Sequence, residues 1–310
     1  MKYCPITYEA IPQNQDYSAK GLKLISPKLT HLAPLPFTTK ELQNEAVARA
    51  DKMSIQGVQP KLSAIINIKQ QSFEIVDRGG VYIIKPQSIF YEQTPQNEDV
   101  TMRMAKAVGI DVPLHGLIYA KDGELNYFIK RFDRGPRKQK FAMEDFAQLS
   151  GLTRDTKYRY SMEKLIPLIE KYTTFPMLEK SELFLRMIFN YIVANEDMHL
   201  KNYALVTVEG KTKLAPAYDF INSSIVLKNA KEEIALTLNG KKRNLTRKDM
   251  VDYFALQMLK LSKTIIDEQL EKVSKAKPTW FKLLEICFLN STLKEKYFQL
   301  INKRLEILDI

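Results

Sequence analysis

The apolar residues of this chain fall mostly in short strand-like runs in the first half and mostly at helical spacing in the second, and that division restricts the folds open to it. Residues 62–68 and 72–76 are apolar and β-branched, Arg78-Gly79-Gly80 reads as a turn, and Val81-Tyr82-Ile83-Ile84-Lys85 follows as a further strand. Antiparallel hairpins are the natural outcome. Val100, Met104, Ala107 and Val108 then recur at helical spacing before Gly109, a stop signal. Strand character returns at residues 114–119 and, after the turn Lys121-Asp122-Gly123, at Tyr127-Phe128-Ile129, which runs into Lys130-Arg131-Phe132-Asp133. Beyond Gly135-Pro136 the pattern is helical. Phe184, Met187, Ile188, Tyr191 and Ile192 mark one buried face of a helix expected to begin after Ser181, and residues 248–272 and 281–308 read as two more helices. A short hairpin, residues 203–208 and 213–216 about Glu209-Gly210-Lys211, interrupts them. The order predicts an α+β, two-lobed fold, with a β-rich lobe over residues 1–133 and a mostly helical lobe over residues 134–310. The first fifty residues, broken by Pro27, Pro34 and Pro36 before a helix expected over residues 39–52, read as an extension of the first lobe.

Composition narrows the function classes. A chain of 310 residues with 45% hydrophobic content can bury a large core. Cys4 and Cys287 lie near opposite ends and form no CxxC, which argues against a disulfide framework and a thiolate metal site. His31, His115 and His199 lack ligand-like spacing and no GxSxG occurs, so metal-hydrolase and triad-hydrolase readings fall away. No apolar run reaches bilayer-spanning length, and the N-terminus has no signal-like apolar segment; a soluble cytoplasmic protein with no membrane contact is expected. The excess of 47 Lys+Arg over 36 Asp+Glu gives +11, which attracts polyanions without specifying one. Arg134, Arg137, Lys138 and Lys140, and Lys241-Lys242-Arg243, read either as phosphate contacts or as solvated surface.

The chemistry sits at the exit of the buried helix. Asp197-Met198-His199-Leu200-Lys201-Asn202 places an Asn five positions after an Asp, and a second carboxylate, Asp219, follows the hairpin. Phosphoryl transfer needs a carboxylate at the acceptor hydroxyl and hard oxygen ligands for Mg²⁺, which neutralises charge on the ATP phosphates. Asp197 suits the first need, Asn202 and Asp219 the second. Lys201 is placed to contact the transferred phosphoryl and His199 to brace the loop. The competing reading is that Asn195-Glu196-Asp197 caps a helix and Asp219 makes a turn with Asn222. In the β-rich half, Lys85 ends an apolar strand, as does the lysine that kinases direct to the α- and β-phosphates, or is an ordinary strand-end lysine; Glu98 on the next helix is either its partner or a first-turn carboxylate complementing the helix dipole. GxGxxG is absent. Gly57 permits close approach of backbone to phosphate, Lys61 adds charge and Ser54 a hydroxyl. ATP and Mg²⁺ are the expected cofactors and the protein-kinase-like fold the expected architecture.

Six segments in order resemble the HipA family of bacterial kinase toxins. They are the run Ser54-Ile55-Gln56-Gly57-Val58-Gln59-Pro60-Lys61, Ile83-Ile84-Lys85-Pro86, Arg131-Phe132-Asp133-Arg134, Glu144-Asp145-Phe146-Ala147-Gln148, residues 195–202, and Tyr218-Asp219. The resemblance implies that Arg131, Phe132 and Asp133 form a hinge, with Phe132 at the adenine and Asp133 near the ribose. It implies that Ser54 is an autophosphorylation site whose modification is inhibitory. It also implies an aminoacyl-tRNA synthetase as protein substrate, a small antitoxin protein, and a DNA-binding antitoxin through which DNA is met only indirectly. The short N-terminal part before Ser54 looks like the HipT-like toxins, in which a separate small protein replaces a subdomain. Two other functions remain open: a small-molecule kinase of related fold, and an inactive kinase fold acting as a nucleic-acid-binding regulator.

Overall fold

The computed structural model describes residues 1–48, 61–135, 139–152, 158, 160–227 and 232–310. Contacts divide the chain into two units, one of Met1–Val100, Pro113–Arg134 and Glu285–Leu289, the other of Thr101–Val112, Gly135–Leu284 and Asn290–Ile310.

The first unit is built on a five-stranded antiparallel sheet. Its strands are β3 (Leu62–Asn67), β4 (Ser72–Ile75), β5 (Tyr82–Lys85), β6 (His115–Tyr119) and β7 (Leu125–Lys130), in the order β4-β3-β5-β7-β6. The expected turn has a steric cause. Gly79 has φ +75°, and a Cβ on Gly80 would lie 1.9 Å from Ser63 Oγ and 2.9 Å from the Ala64 nitrogen. Val81 N–H donates to the Ala64 carbonyl at 3.0 Å, and Tyr82 then pairs with Ala64 to set the β3–β5 register. Helix α3 (Thr94–Ala107) follows β5.

The N-terminal residues are more than an extension. Strands β1 (Lys2–Tyr3) and β2 (Ala10–Ile11) pair, and helices α1 (Ala19–Ile25) and α2 (Thr39–Ala48) follow. Cys4, Ile6, Leu22, Leu29, Leu35 and Leu42 share one hydrophobic cluster with Leu62, Phe73, Tyr82 and Phe128 of the sheet. Ser18 caps α1 by accepting from Gly21 N–H at 3.0 Å.

The second unit contains a three-stranded sheet in the order β10 (Lys211–Leu214), β9 (Ala204–Val208), β8 (Ala142–Asp145), and the helices α4 (Phe146–Leu149), α5 (Leu165–Tyr172), α6 (Pro176–Ile192), α7 (Lys263–Ile286) and α8 (Ser291–Leu308). Residues Lys248–Met258 form a π-helix. Three boundaries differ from the pattern reading. Helix α6 starts at Pro176, a favoured first position, and Ser181 accepts a hydrogen bond from Gln269 Nε2 at 2.8 Å instead of capping the helix. Helix α7 runs through Pro278 and ends beyond Trp280, whose buried indole donates to the Met104 carbonyl at 2.8 Å and packs edge-on against Phe189. The break therefore falls before α8, which Asn290 caps by accepting from Leu293 N–H at 2.9 Å. Strand β8 carries no apolar alternation; it is set by pairing with β9 and by the capping box between Asp145 and Gln148.

Leu29 is fully buried in the first unit's cluster. Leu29→Ala should destabilise the chain by about 2–5 kcal/mol, read as a lowered urea midpoint with an unchanged slope. A change within a few tenths of a kcal/mol would detach the N-terminal residues from the core.

Candidate active site

Helix α6 ends where a left-handed residue turns the chain. Ala194 has φ 51°, and its carbonyl accepts a hydrogen bond from Ser223 Oγ at 3.1 Å, with Ser224 Oγ 3.4 Å away. Ser223 Oγ in turn accepts from Glu196 N–H at 2.8 Å, and Ser224 Oγ donates to Glu196 Oε1 at 2.6 Å. Two consecutive serines thus hold the start of the loop.

Buried Asn195 holds the rest. Its Oδ1 accepts from the Asp197 backbone N–H at 3.2 Å, and its Nδ2 donates to Asn190 Oδ1 at 3.0 Å and to the Asp219 carbonyl at 3.5 Å. Asn202, on the 3₁₀ turn Leu200–Asn202, donates through Nδ2 to the Asp197 carbonyl at 2.9 Å, which identifies its other amide atom as the oxygen. Tyr218 donates to the Lys201 carbonyl at 2.8 Å, and burial, then the neighbouring Asp219 charge, pushes its phenol well above the ordinary value. Asp219 itself has φ 58°, a left-handed conformation that a non-glycine residue adopts at a cost. Asp197, His199, Lys201, Asn202 and Asp219 therefore fall in one cross-braced loop system within the second unit. The Asp197 carboxylate is 54% exposed, while the His199 ring is buried with Nε2 3.9 Å from Asp197 Oδ1.

Hard-oxygen chemistry fits this set. Among the described residues no group of three or more His, Cys, Asp or Glu forms a metal cage. Mg²⁺ does not require one, since it takes one or two protein oxygens and completes its shell with water and phosphate. Asn202 and Asp219 are donors of that kind.

In the first unit Lys85 Nζ donates to Glu98 Oε1 at 2.5 Å, with each side chain 3% exposed. Neighbouring Asp99 pairs with His115 Nδ1 at 2.9 Å, also buried, and Lys85 Nζ stands 5.6 Å from the Tyr127 ring centroid. Arg131 binds the Asp133 carboxylate through two hydrogen bonds, of 2.9 and 2.7 Å, and Arg134 adds a third at 2.6 Å. Burial raises the Asp133 pKa, but the Arg131 and Arg134 contacts outweigh it and the net shift is downward. Lys61, half-buried, stands one residue before β3. Ser54 and Gly57 lie outside the described residues. Pattern reasoning did not find Tyr158, whose hydroxyl donates to Asp197 Oδ1, or the bracing roles of Asn190, Ser223 and Ser224. Only the run of polar residues around position 195 hinted at such bracing.

Removing Glu98 takes a carboxylate away from a buried ammonium. Glu98→Ala should cost about 3–5 kcal/mol in urea unfolding, and pairing it with Lys85→Met should recover much of that loss. Equal stability of the single and double variants would contradict the pair. For Asp133 the native carboxylate binds its proton less tightly than the unfolded one. Its contribution is therefore present above about pH 4 and lost as pH falls through the lowered native value. Asp133→Asn should flatten that acid limb in a stability-versus-pH series.

Residues 53–280 match the HipA-like C-terminal domain. A candidate kinase of Haemophilus influenzae is 32% identical over 243 residues, covering 72% of this chain and 69% of that protein. The serine/threonine-protein kinase toxin HipA of Shewanella oneidensis is 27% identical over 192 residues, covering 55% of this chain and 43% of the toxin. The fold aligns with HipA in the Shewanella oneidensis complex of HipA, HipB and operator DNA at a TM-score of 0.69 and 19% identity, over 91% of this chain and 76% of that one. The α+β architecture is thus that of a kinase-like fold, and the chain belongs to the family of HipA-like kinases.

Proposed function

We propose that this protein is an ATP- and Mg²⁺-dependent Ser/Thr protein kinase acting as the toxin of a bacterial toxin–antitoxin module. The observation that supports this most strongly is the Asn195 amide, which ties the backbone of Asp197 to that of Asp219. A proton-accepting carboxylate and a metal-ligand carboxylate are thereby held in fixed relation before any ligand arrives.

In this reading Asp197, exposed and held by its backbone, orients the acceptor hydroxyl and takes its proton. Mg²⁺, held by Asn202 and Asp219, would neutralise negative charge on the nucleotide phosphates. Lys85, fixed by Glu98, contacts the α- and β-phosphates. Lys201 contacts the transferred phosphoryl, and His199 packs behind the loop. Gly57 and Lys61 approach the phosphates, Phe132 meets the adenine, and the Arg131–Asp133 pair stiffens the segment at the boundary between lobes 1–133 and 134–310. Ser54 is the autophosphorylation site. The family suggests an aminoacyl-tRNA synthetase as substrate and a cytoplasmic setting. The Shewanella complex of HipA with HipB and operator DNA makes a DNA-binding antitoxin a natural partner, and the family resemblance adds a small second antitoxin protein. Among the described residues no helix is long and apolar enough to cross a membrane.

Asp197→Ala should lower transfer of labelled phosphate from ATP to protein in a cell lysate by about 10²–10⁴-fold. Full activity in that variant would remove Asp197 from the reaction. Mass spectrometry of active enzyme after exposure to ATP and Mg²⁺ should place a phosphate on Ser54; label confined to small molecules would favour a small-molecule kinase.

A further inference from the structure

In the second unit the phenol of Tyr158 is seated on the Asp197 carboxylate, its hydroxyl donating to Oδ1 from 39 residues away in sequence. Two further contacts place the ring. It stands edge-on to His199, with centroids 5.0 Å apart and planes at 87°, and Lys242 Nζ lies 6.0 Å from its centroid. Lys242 is itself paired with Glu232 at 3.2 Å, and the Glu232 N–H donates to Glu196 of the same loop at 3.1 Å. Tyr158 is nonetheless 38% exposed, so the ring lies over the carboxylate at the surface and is not locked in the core. Burial, and next the charge of Asp197, raises the phenol pKa, so at neutral pH the hydroxyl keeps its proton and acts as a donor.

A hydroxyl donating to Asp197 is what an acceptor must present for transfer. A second hydroxyl arriving at Oδ1 has to displace the first. We propose that Tyr158 is an internal competitor of the acceptor, holding the acceptor hydroxyl's place on Asp197 until a substrate side chain takes it. The proposal rests on the phosphoryl-transfer role given to Asp197. It makes Tyr158 an autoinhibitory residue, because every acceptor, water included, must offset from its own contacts what the phenol loses on leaving.

Tyr158→Phe keeps the ring and its edge contact with His199 and removes only the hydroxyl. With dephosphorylated casein as a generic acceptor, the KM for casein should fall roughly tenfold, the scale of one charge-assisted hydrogen bond. ADP release without any protein acceptor should rise. In the full chain carrying 3-fluorotyrosine at position 158, the fluorine resonance should shift on Asp197→Asn, a readout that needs no turnover. The proposal is overturned by an unmoved resonance, by a KM and ADP release in Tyr158→Phe equal to the parent's, or by phosphate found on Tyr158, which would make it an acceptor. Undiminished ADP release in Asp197→Ala would instead bring down the phosphoryl-transfer reading itself, and with it the proposal.

Discussion

One buried side-chain amide governs the geometry of the candidate site. Asn195 has no exposed surface, and its two polar atoms meet the end of α6, the Asp197 backbone and the Asp219 backbone. A buried amide is tolerated only when its donors and acceptor are satisfied, so these partners are tied to a single arrangement. The neighbouring Ala194 carbonyl, released where α6 ends, is satisfied by Ser223 of the segment after Asp219. The helix end and the loop that follows Asp219 therefore define each other, and the exposed Asp197 carboxylate is carried on a rigid base. Such a base limits the entropy lost when a hydroxyl is oriented on the carboxylate.

The first unit solves a related problem with charge. An ammonium and a carboxylate removed from water are costly to desolvate, and a pair of well-packed apolar residues would often serve stability as well or better. Lys85 and Glu98 are kept despite that cost, and the adjacent Asp99 and His115 form a second buried pair. Asn97, Glu98, Asp99 and Thr101 are all essentially buried on one helix, the reverse of what apolar packing alone would select. A helix that breaks the packing rule at successive positions is what a functional constraint leaves behind. The ion pair fixes where the lysine head stands, as the nucleotide contact proposed for it would require.

Much of this was legible along the chain where one local force dominates. Gly79-Gly80 announces its turn because any Cβ at position 80 collides with Ser63, and the apolar face of α6 repeats at helical period because it is buried along its length. The spacing of Asp197, Asn202 and Asp219 stood out along the chain because their oxygens suit phosphoryl transfer, and the bonds of Asn195 and Asn202 bring the three into one loop system. The rest depends on partners distant in sequence. Cys4, Ile6, Leu29 and Leu35 follow no period, yet all are buried in one cluster with residues of the sheet. Helix α7 continues through Pro278 to Trp280, which reaches Met104, and nothing in the local composition foretells that bond. Tyr158 meets Asp197 across 39 residues, a contact that only the folded second unit creates.

The net charge of +11 takes on a different meaning once its carriers are located. Arg134 is spent on Asp133, Lys241 on Asp249 at 2.9 Å, and Lys242 on Glu232 at 3.2 Å. Burial opposes ionisation of Asp249, but hydrogen bonds from Lys241, Asn239 and Thr246 prevail and lower its pKa to about 2. These cations are neutralised by neighbours at short range, so the clusters that look like polyanion-binding surface in the sequence act in part as internal ties. One of those ties reaches the loop: the Lys242–Glu232 pair links Glu196 to the ring of Tyr158. A basic run that reads as an interface in one dimension thus helps, in three, to hold the residues around Asp197 in place, and the case for a nucleic-acid-binding role weakens accordingly.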